Sequence, residues 1–174
     1  MVSSPIKDIY TIEKIKELYK IKNMSRDLLL FELGINTGIN LKKLLQLRVK
    51  DVKNKCYLVE NNKTYSLNEK LKELISEVIK NKKHLDYLFQ TKFGNKLDRS
   101  TVFHSFKDIR RELVLPEDIS VASWRKTFAY HYYQKYGDLS YLQWVFNQST
   151  VEQTLRFIRV NENMNLRYRE GVCL

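Results

Sequence analysis

Cysteine, proline, glycine and histidine are all scarce in this chain of 174 residues, at 2 Cys, 2 Pro, 5 Gly and 3 His. Cys56 and Cys173 stand alone, without metal-ligand or redox spacing, which suits a reducing cytoplasm. His84, His104 and His131 are too scattered to argue for a zinc site. So little Gly and Pro excludes a disordered or low-complexity protein. Long apolar runs are missing too. The best, Leu28 to Phe31, stops at Glu32, far short of the ~18 residues that a membrane span needs. The opening "MVSSPIKDIY" lacks the apolar centre of a secretory signal. The expectation is a soluble cytoplasmic protein with no metal, no cofactor and no membrane partner.

Positive charge is what the chain does have. Against 20 Asp and Glu stand 31 Lys and Arg, a formal charge of +11 and a pI near 9.6. A surface of that kind favours polyanions, among which nucleic acid is the commonest in a cytoplasm. The plain alternative is a lysine-rich solvated surface, and composition alone does not separate the two. The length suits one domain with a real core.

Periodicity places the elements. Thr11 can cap a helix reaching about Ile21, and Ser25 can cap a second, "RDLLLFELGI", ending in the loop "NTG". A third helix, "LKKLLQLRV", follows with Asn40 at its N-cap. The period then changes: "KCYLVE" (55–60) and "KTYSL" (63–67) read as strands of a hairpin. Asn61-Asn62 between them suits a two-residue turn with positive φ. Asn68 or Ser66 opens the helix "EKLKELISEVIKN", "FGNKLD" (93–98) is a turn, and Ser100 opens a helix to about Leu113. Three helices close the chain, at about Trp124–Tyr136, Leu139–Phe146 and Thr150–Val160. Phe128, Tyr132 and Tyr136 recur at helical spacing and read as core. The fold class is therefore mainly α with a small antiparallel β-sheet (α+β). One domain spans 1–160, with a polar tail at 161–174.

Four stretches, in order, carry a family likeness. "TGINLKKLLQLRVKDV" (37–52) follows T-G-L-R-x-x-E-L-x-x-L-x-x-x-D-I at Thr37, Gly38, Leu44, Leu47 and Asp51. "NKTYSLNEKLKELI" is similar to a hairpin presenting a Lys before a helix. "LFQTKFGNKLDRSTVFHSFKDI" (88–109) is similar to an L-F…G…F-K segment. "VASWRKTFAYHYYQKYGDLSYLQWVFNQSTVEQTLRFIRV" (121–160) resembles H-x-L-R-H-T-F-A-T-H, then L-G-H, then T-x-x-Y-x-x-V. From Thr11 to Val160 the chain thus resembles the catalytic domain of the tyrosine recombinases, or phage integrases.

In that family a Tyr hydroxyl attacks the phosphodiester, two Arg neutralise the phosphate, a Lys protonates the leaving oxygen and two imidazoles support proton movement. Carried over one at a time, the resemblance puts the first Arg on Asn40, the Lys on Lys63 and the first His on Ala122. It puts the second Arg on Arg125, the second His on Asn147 (after Phe146) and the nucleophile on Phe157. Only Lys63 and Arg125 keep their chemistry, and phenylalanine has no oxygen to attack with. The expectation is a pseudoenzyme that retains duplex DNA binding: a repressor or accessory factor of a phage or other mobile element. His131 is expected to pack.

Expected DNA contacts are Lys42, Lys43 and Arg48 on the third helix, Lys63 on the hairpin, Arg99, Ser100 and Lys107 around "DRSTVFHSFK", and Arg125, Lys126, Arg156 and Arg159. Two other classes stay open. One is an active recombinase using a displaced hydroxyl, Tyr168 or Tyr141. The other is a protein–protein module whose tail docks onto a neighbouring subunit, by self-association or with another recombinase.

Overall fold

The computed structural model describes residues 3–160. Nine helices and one hairpin follow one another in that span: α1 (Ile9–Ile21), α2 (Ser25–Thr37), the single turns α3 (Leu41–Leu44) and α4 (Val49–Val52), β1 (Tyr57–Glu60), β2 (Lys63–Ser66), α5 (Glu69–Ile79), α6 (Arg99–Glu112), α7 (Ser123–Tyr136), α8 (Leu139–Phe146) and α9 (Val151–Ile158). The mainly α class with a small antiparallel sheet is borne out. Tail residues 161–174, with Tyr168 and Cys173, lie outside the described residues.

Side-chain oxygens set most helix starts, though not always those expected. Asp8, rather than Thr11, caps α1, because its carboxylate accepts from the N–H groups of both Tyr10 and Thr11. Asp98, rather than Ser100, does the same for α6. Ser25 is the first residue of α2, and its hydroxyl donates to Glu77 instead of capping. Asn68, Asp138 and Thr150 cap α5, α8 and α9. The third predicted helix breaks in two. Leu47 and Arg48 leave the helix to pair with residues 87 and 88: Leu47 O accepts from Leu88 N at 2.8 Å, and Arg48 bridges Tyr87. Arg48 then starts α4, where the Asp51 carboxylate accepts from its N–H at 2.8 Å.

Helix α2 is the centre of the molecule, buried along most of its length and packed on α1, α5 and α7. Two T-shaped contacts tie α7 to its neighbours: Trp124 meets Phe31 of α2 at 5.6 Å and Phe106 of α6 at 5.3 Å. Gly34 permits this approach, since a Cβ there would stand 2.8 Å from the indole. A second apolar cluster joins Ala129 and Tyr133 of α7 to Leu142 of α8 and to Leu155 and Ile158 of α9. Helix α7 therefore belongs to both clusters. That changes the reading of its aromatic stripe: Trp124, Ala129 and Tyr133 are the buried positions, while Phe128 and Tyr132 are half-buried and Tyr136 is 58% exposed.

The hairpin has the predicted turn. Asn61 and Asn62 both take positive φ, at 49° and 61°, and Glu60 pairs with Lys63 across them. Its inward residues, Leu58, Lys63 and Tyr65, are buried. A lysine among them needs an explanation, which the end of α8 supplies.

Candidate functional site

Arg125 sits in the first turn of α7, whose N-cap, Ala122, has no side-chain oxygen. Backbone carbonyls instead take the first N–H groups, Ser123 N donating to Ser120 O at 2.8 Å and Trp124 N to Val121 O at 3.2 Å. The Nε of Arg125 donates to Gly38 O at 2.8 Å, and its guanidinium lies 4.9 Å from the centre of the Phe146 ring. Gly38, left-handed at φ 67°, ends α2 and turns that carbonyl toward Arg125. Burial pushes the guanidinium's pKa down from its ordinary range, while Tyr65 and Glu60 pull the other way. One face of this region opens into a cavity of about 200 Å³ lined by Asn40, Ala122, Arg125 and Phe157, with Arg99 and Phe103 among its other walls. Four of the six positions carried over from the resemblance thus converge.

The remaining two, Lys63 and Asn147, bond each other. Lys63 is 7% exposed, and its ammonium donates to Trp144 O at 2.5 Å, Val145 O at 2.9 Å and Asn147 Oδ1 at 2.8 Å. Those acceptors are the C-terminal end of α8, the negative end of its dipole. Asn147 ends the helix in the left-handed region, at φ 52°, a conformation Asn tolerates well. The Lys63 ammonium thus has three protein oxygens as partners.

Phe146 joins the two halves. Its ring touches Arg125, lies 4.9 Å from Phe157 and 6.2 Å from Phe128, and precedes Asn147 in the chain. Sequence reasoning passed over it. The signal was a bulky aromatic where the resembled motif has glycine.

Several expected DNA contacts are engaged internally. Lys126 is buried, donates to Ser3 O at 2.6 Å and lies 5.5 Å from the Phe157 ring. Arg48 rests over the Tyr87 ring and donates to Leu85 O; it is not on the third helix at all. Arg159 pairs with Asp118 at 3.3 Å and also reaches Ser4. Ser100 gives both its N–H and its hydroxyl to Asp98. Lys43 pairs with Glu60 at 3.4 Å. Lys42, Arg99, Lys107 and Arg156 are exposed. His131 packs, its ring nitrogen bonding Ile6 O at 2.9 Å.

Among the described residues, no hydroxyl-bearing side chain lines the cavity that holds Phe157. Tyr141 stacks on Tyr132 at 4.6 Å in a separate groove that Tyr65 and Tyr136 also line, and burial raises its pKa. Tyr65, which sequence reasoning missed, is the phenol that feels Arg125; it is 7% exposed, and burial raises its pKa against the pull of that cation. A buried, protonated phenol is a poor nucleophile. Among the described residues no cluster of His, Cys, Asp or Glu could hold a metal, and no helix is long and apolar enough to cross a membrane.

Comparisons with known proteins agree with the geometry. The phage integrase family profile matches residues 9–164. The probable integrase/recombinase YoeC of Bacillus subtilis (strain 168) is 31% identical over 169 residues, covering 93% of this chain and 92% of YoeC. Among solved structures, the XerA recombinase superposes with a TM-score of 0.78 at 16% identity, over 100% of this chain and 68% of its own. The Tn1549 transposon integrase, solved with circular intermediate DNA, gives 0.76 at 16% identity, over 97% of this chain and 64% of its own. These last two likenesses concern the fold.

Proposed function

Because the chain belongs to the phage integrase family, we propose that it grips duplex DNA with the cavity at the start of α7 and does not cut it. The observation that carries this reading is the composition of that cavity. It offers a half-buried guanidinium in the first turn of a helix, suited to a phosphate oxygen. Where the family's nucleophile would stand it has the Phe157 ring, and where an imidazole would stand, the methyl group of Ala122. Asn40 supplies no second cation; its side chain accepts from Lys42 N at 2.9 Å as the cap of α3. The other supporting position, Asn147, holds Lys63. With the leaving-group proton donor tied down and the attacking oxygen missing, phosphate is bound and left intact. The role that follows is occupancy of a DNA site, as a repressor or accessory factor on a mobile element. DNA complexes of Tn1549 integrase and XerH, whose folds this chain shares, support the binding half of the proposal.

A second reading, an active recombinase with a hydroxyl from elsewhere, is favoured by the recombinase name of the 31% identical relative. One experiment separates the two. The chain is incubated with nicked duplex DNA and run under denaturing conditions, beside a native binding titration. The proposal expects salt-sensitive binding, with a log–log slope of roughly −4 to −7, and no adduct that survives denaturation. Arg125→Ala should weaken binding about tenfold or more at every sequence and flatten the slope by about 1. A covalent adduct lost in Tyr168→Phe establishes the second reading instead.

A further inference from the structure

We infer that lysines around the segment joining α4 to β1 form a second phosphate track, which holds the backbone of DNA flanking the piece gripped at Arg125. The inference rests on the DNA-binding reading above. Two open grooves meet along that segment. One, of about 520 Å³, runs between it and α5 over a floor of Val52, Ile75 and Ile79. The other, of about 750 Å³, runs between α3, α4 and β1. Lys53 and Lys55 line both, so the two grooves adjoin at that segment and share its lysines, and together they are called the channel below.

The channel's charge is one-sided. Lys50 lines the second groove and Lys80 the first. All four of these lysines are exposed and form no ion pair among the described residues. The carboxylates that line the channel are already committed. Asp51 accepts from Arg48 N at 2.8 Å, and Glu60 faces Lys43 at 3.4 Å. No carboxylate lines the first groove. At its end Lys82, its ammonium donated to Leu88 O, adds a half-buried positive charge that burial makes easier to deprotonate.

Shape selects the ligand class. A small anion needs donors converging on one point, whereas these ammonium groups are strung along two confluent open grooves. That arrangement suits a linear polyanion, and duplex DNA carries a charge every ~1.7 Å of its axis. Position selects the DNA segment. Lys43, one of the second groove's walls, lies three residues beyond Asn40, which lines the Arg125 cavity. A duplex leaving that cavity past α3 enters the channel.

The test compares fluorescein-labelled random-sequence duplexes of roughly 12 and roughly 35 base pairs, read by their salt slopes. Slope is the discriminating quantity, because a longer duplex offers more binding registers without changing the slope. The wild-type chain should show a slope steeper by about 2–4 on the long duplex. The triple variant Lys53→Gln, Lys55→Gln, Lys80→Gln should lose that difference while binding the short duplex as before, and the matching Arg triple should retain it. Independently, the long duplex should slow alkylation of the exposed thiol of Cys56, which lines the first groove, at least threefold more than the short one, with the modified peptide identified by mass spectrometry. Equal slopes on the two duplexes, or a Gln triple that behaves as wild type, overturn the track and leave the Arg125 site standing. Absence of binding to either duplex overturns both.

Discussion

Lys63 shows how much of a residue's setting lies outside its own stretch of sequence. A lysine was legible at this hairpin position, and so was Arg125 at the head of its helix. What the chain order could not reveal is that the ammonium turns inward and meets three oxygens at the end of α8, some 80 residues away in sequence. Nor could it reveal that Lys126, one residue past Arg125, is buried beneath Ser3. Lys63→Met keeps most of the aliphatic stem and removes the donor, leaving those oxygens unsatisfied. The expected loss is about 2 kcal/mol, below the sum of three broken bonds because a buried charge is removed with them. Urea unfolding midpoints measure it. On this account DNA affinity changes less than in Arg125→Ala, because the ammonium already has its partners.

Among elements, helices were the most legible and single turns the least. Spacing placed α7, α8 and α9 within a residue or two of their observed ends, since apolar period and capping residues are local signals. The segment after Asn40 was read as one helix because its leucines keep helical spacing. Its break at Leu47 comes from pairing with residues 87 and 88, a partner that no local pattern announces. The junction between α2 and α3 matters most for the site. Gly38 closes α2 with a positive φ, a Cβ there would stand 2.6 Å from a Phe128 ring carbon, and its carbonyl holds Arg125. Gly38→Ala should therefore destabilise the protein by about 2–3 kcal/mol. It should also weaken duplex binding several-fold under conditions where circular dichroism shows the chain still folded. Wild-type affinity in a folded Gly38→Ala variant would remove Gly38 from the account of the site.

For the molecule as a whole, buried phenols set the alkaline limit of stability. Tyr19 and Tyr65 are 1% and 7% exposed, and burial raises both pKa values above the ordinary 10.0. As pH rises past that value the unfolded chain gives up its phenolic protons first, so deprotonation favours unfolding. Stability from these groups is complete below about pH 9 and falls above about pH 10. Urea midpoints between about pH 8 and about pH 11 should show the decline, and Tyr19→Phe should make it shallower. The fold class was readable because two apolar clusters lie on regular periods. The arrangement around Phe146 was not, because it joins α7, α8 and α9 through a residue that departs from the resembled motif. One further arrangement has a practical consequence. Residues 3–7 lie against α7 and the end of α9: Ile6 N–H bonds Thr127, Ser4 bonds Asp118, Lys7 reaches Arg159 O, and Lys126 is held under Ser3. Peeling that ribbon away, by proteolysis or by tension from a fused tag, would unsheathe a spare ammonium beside Phe157. A cation can thus be made accessible next to a wall of the cavity by a mechanical event, with no change in sequence and no change in pH.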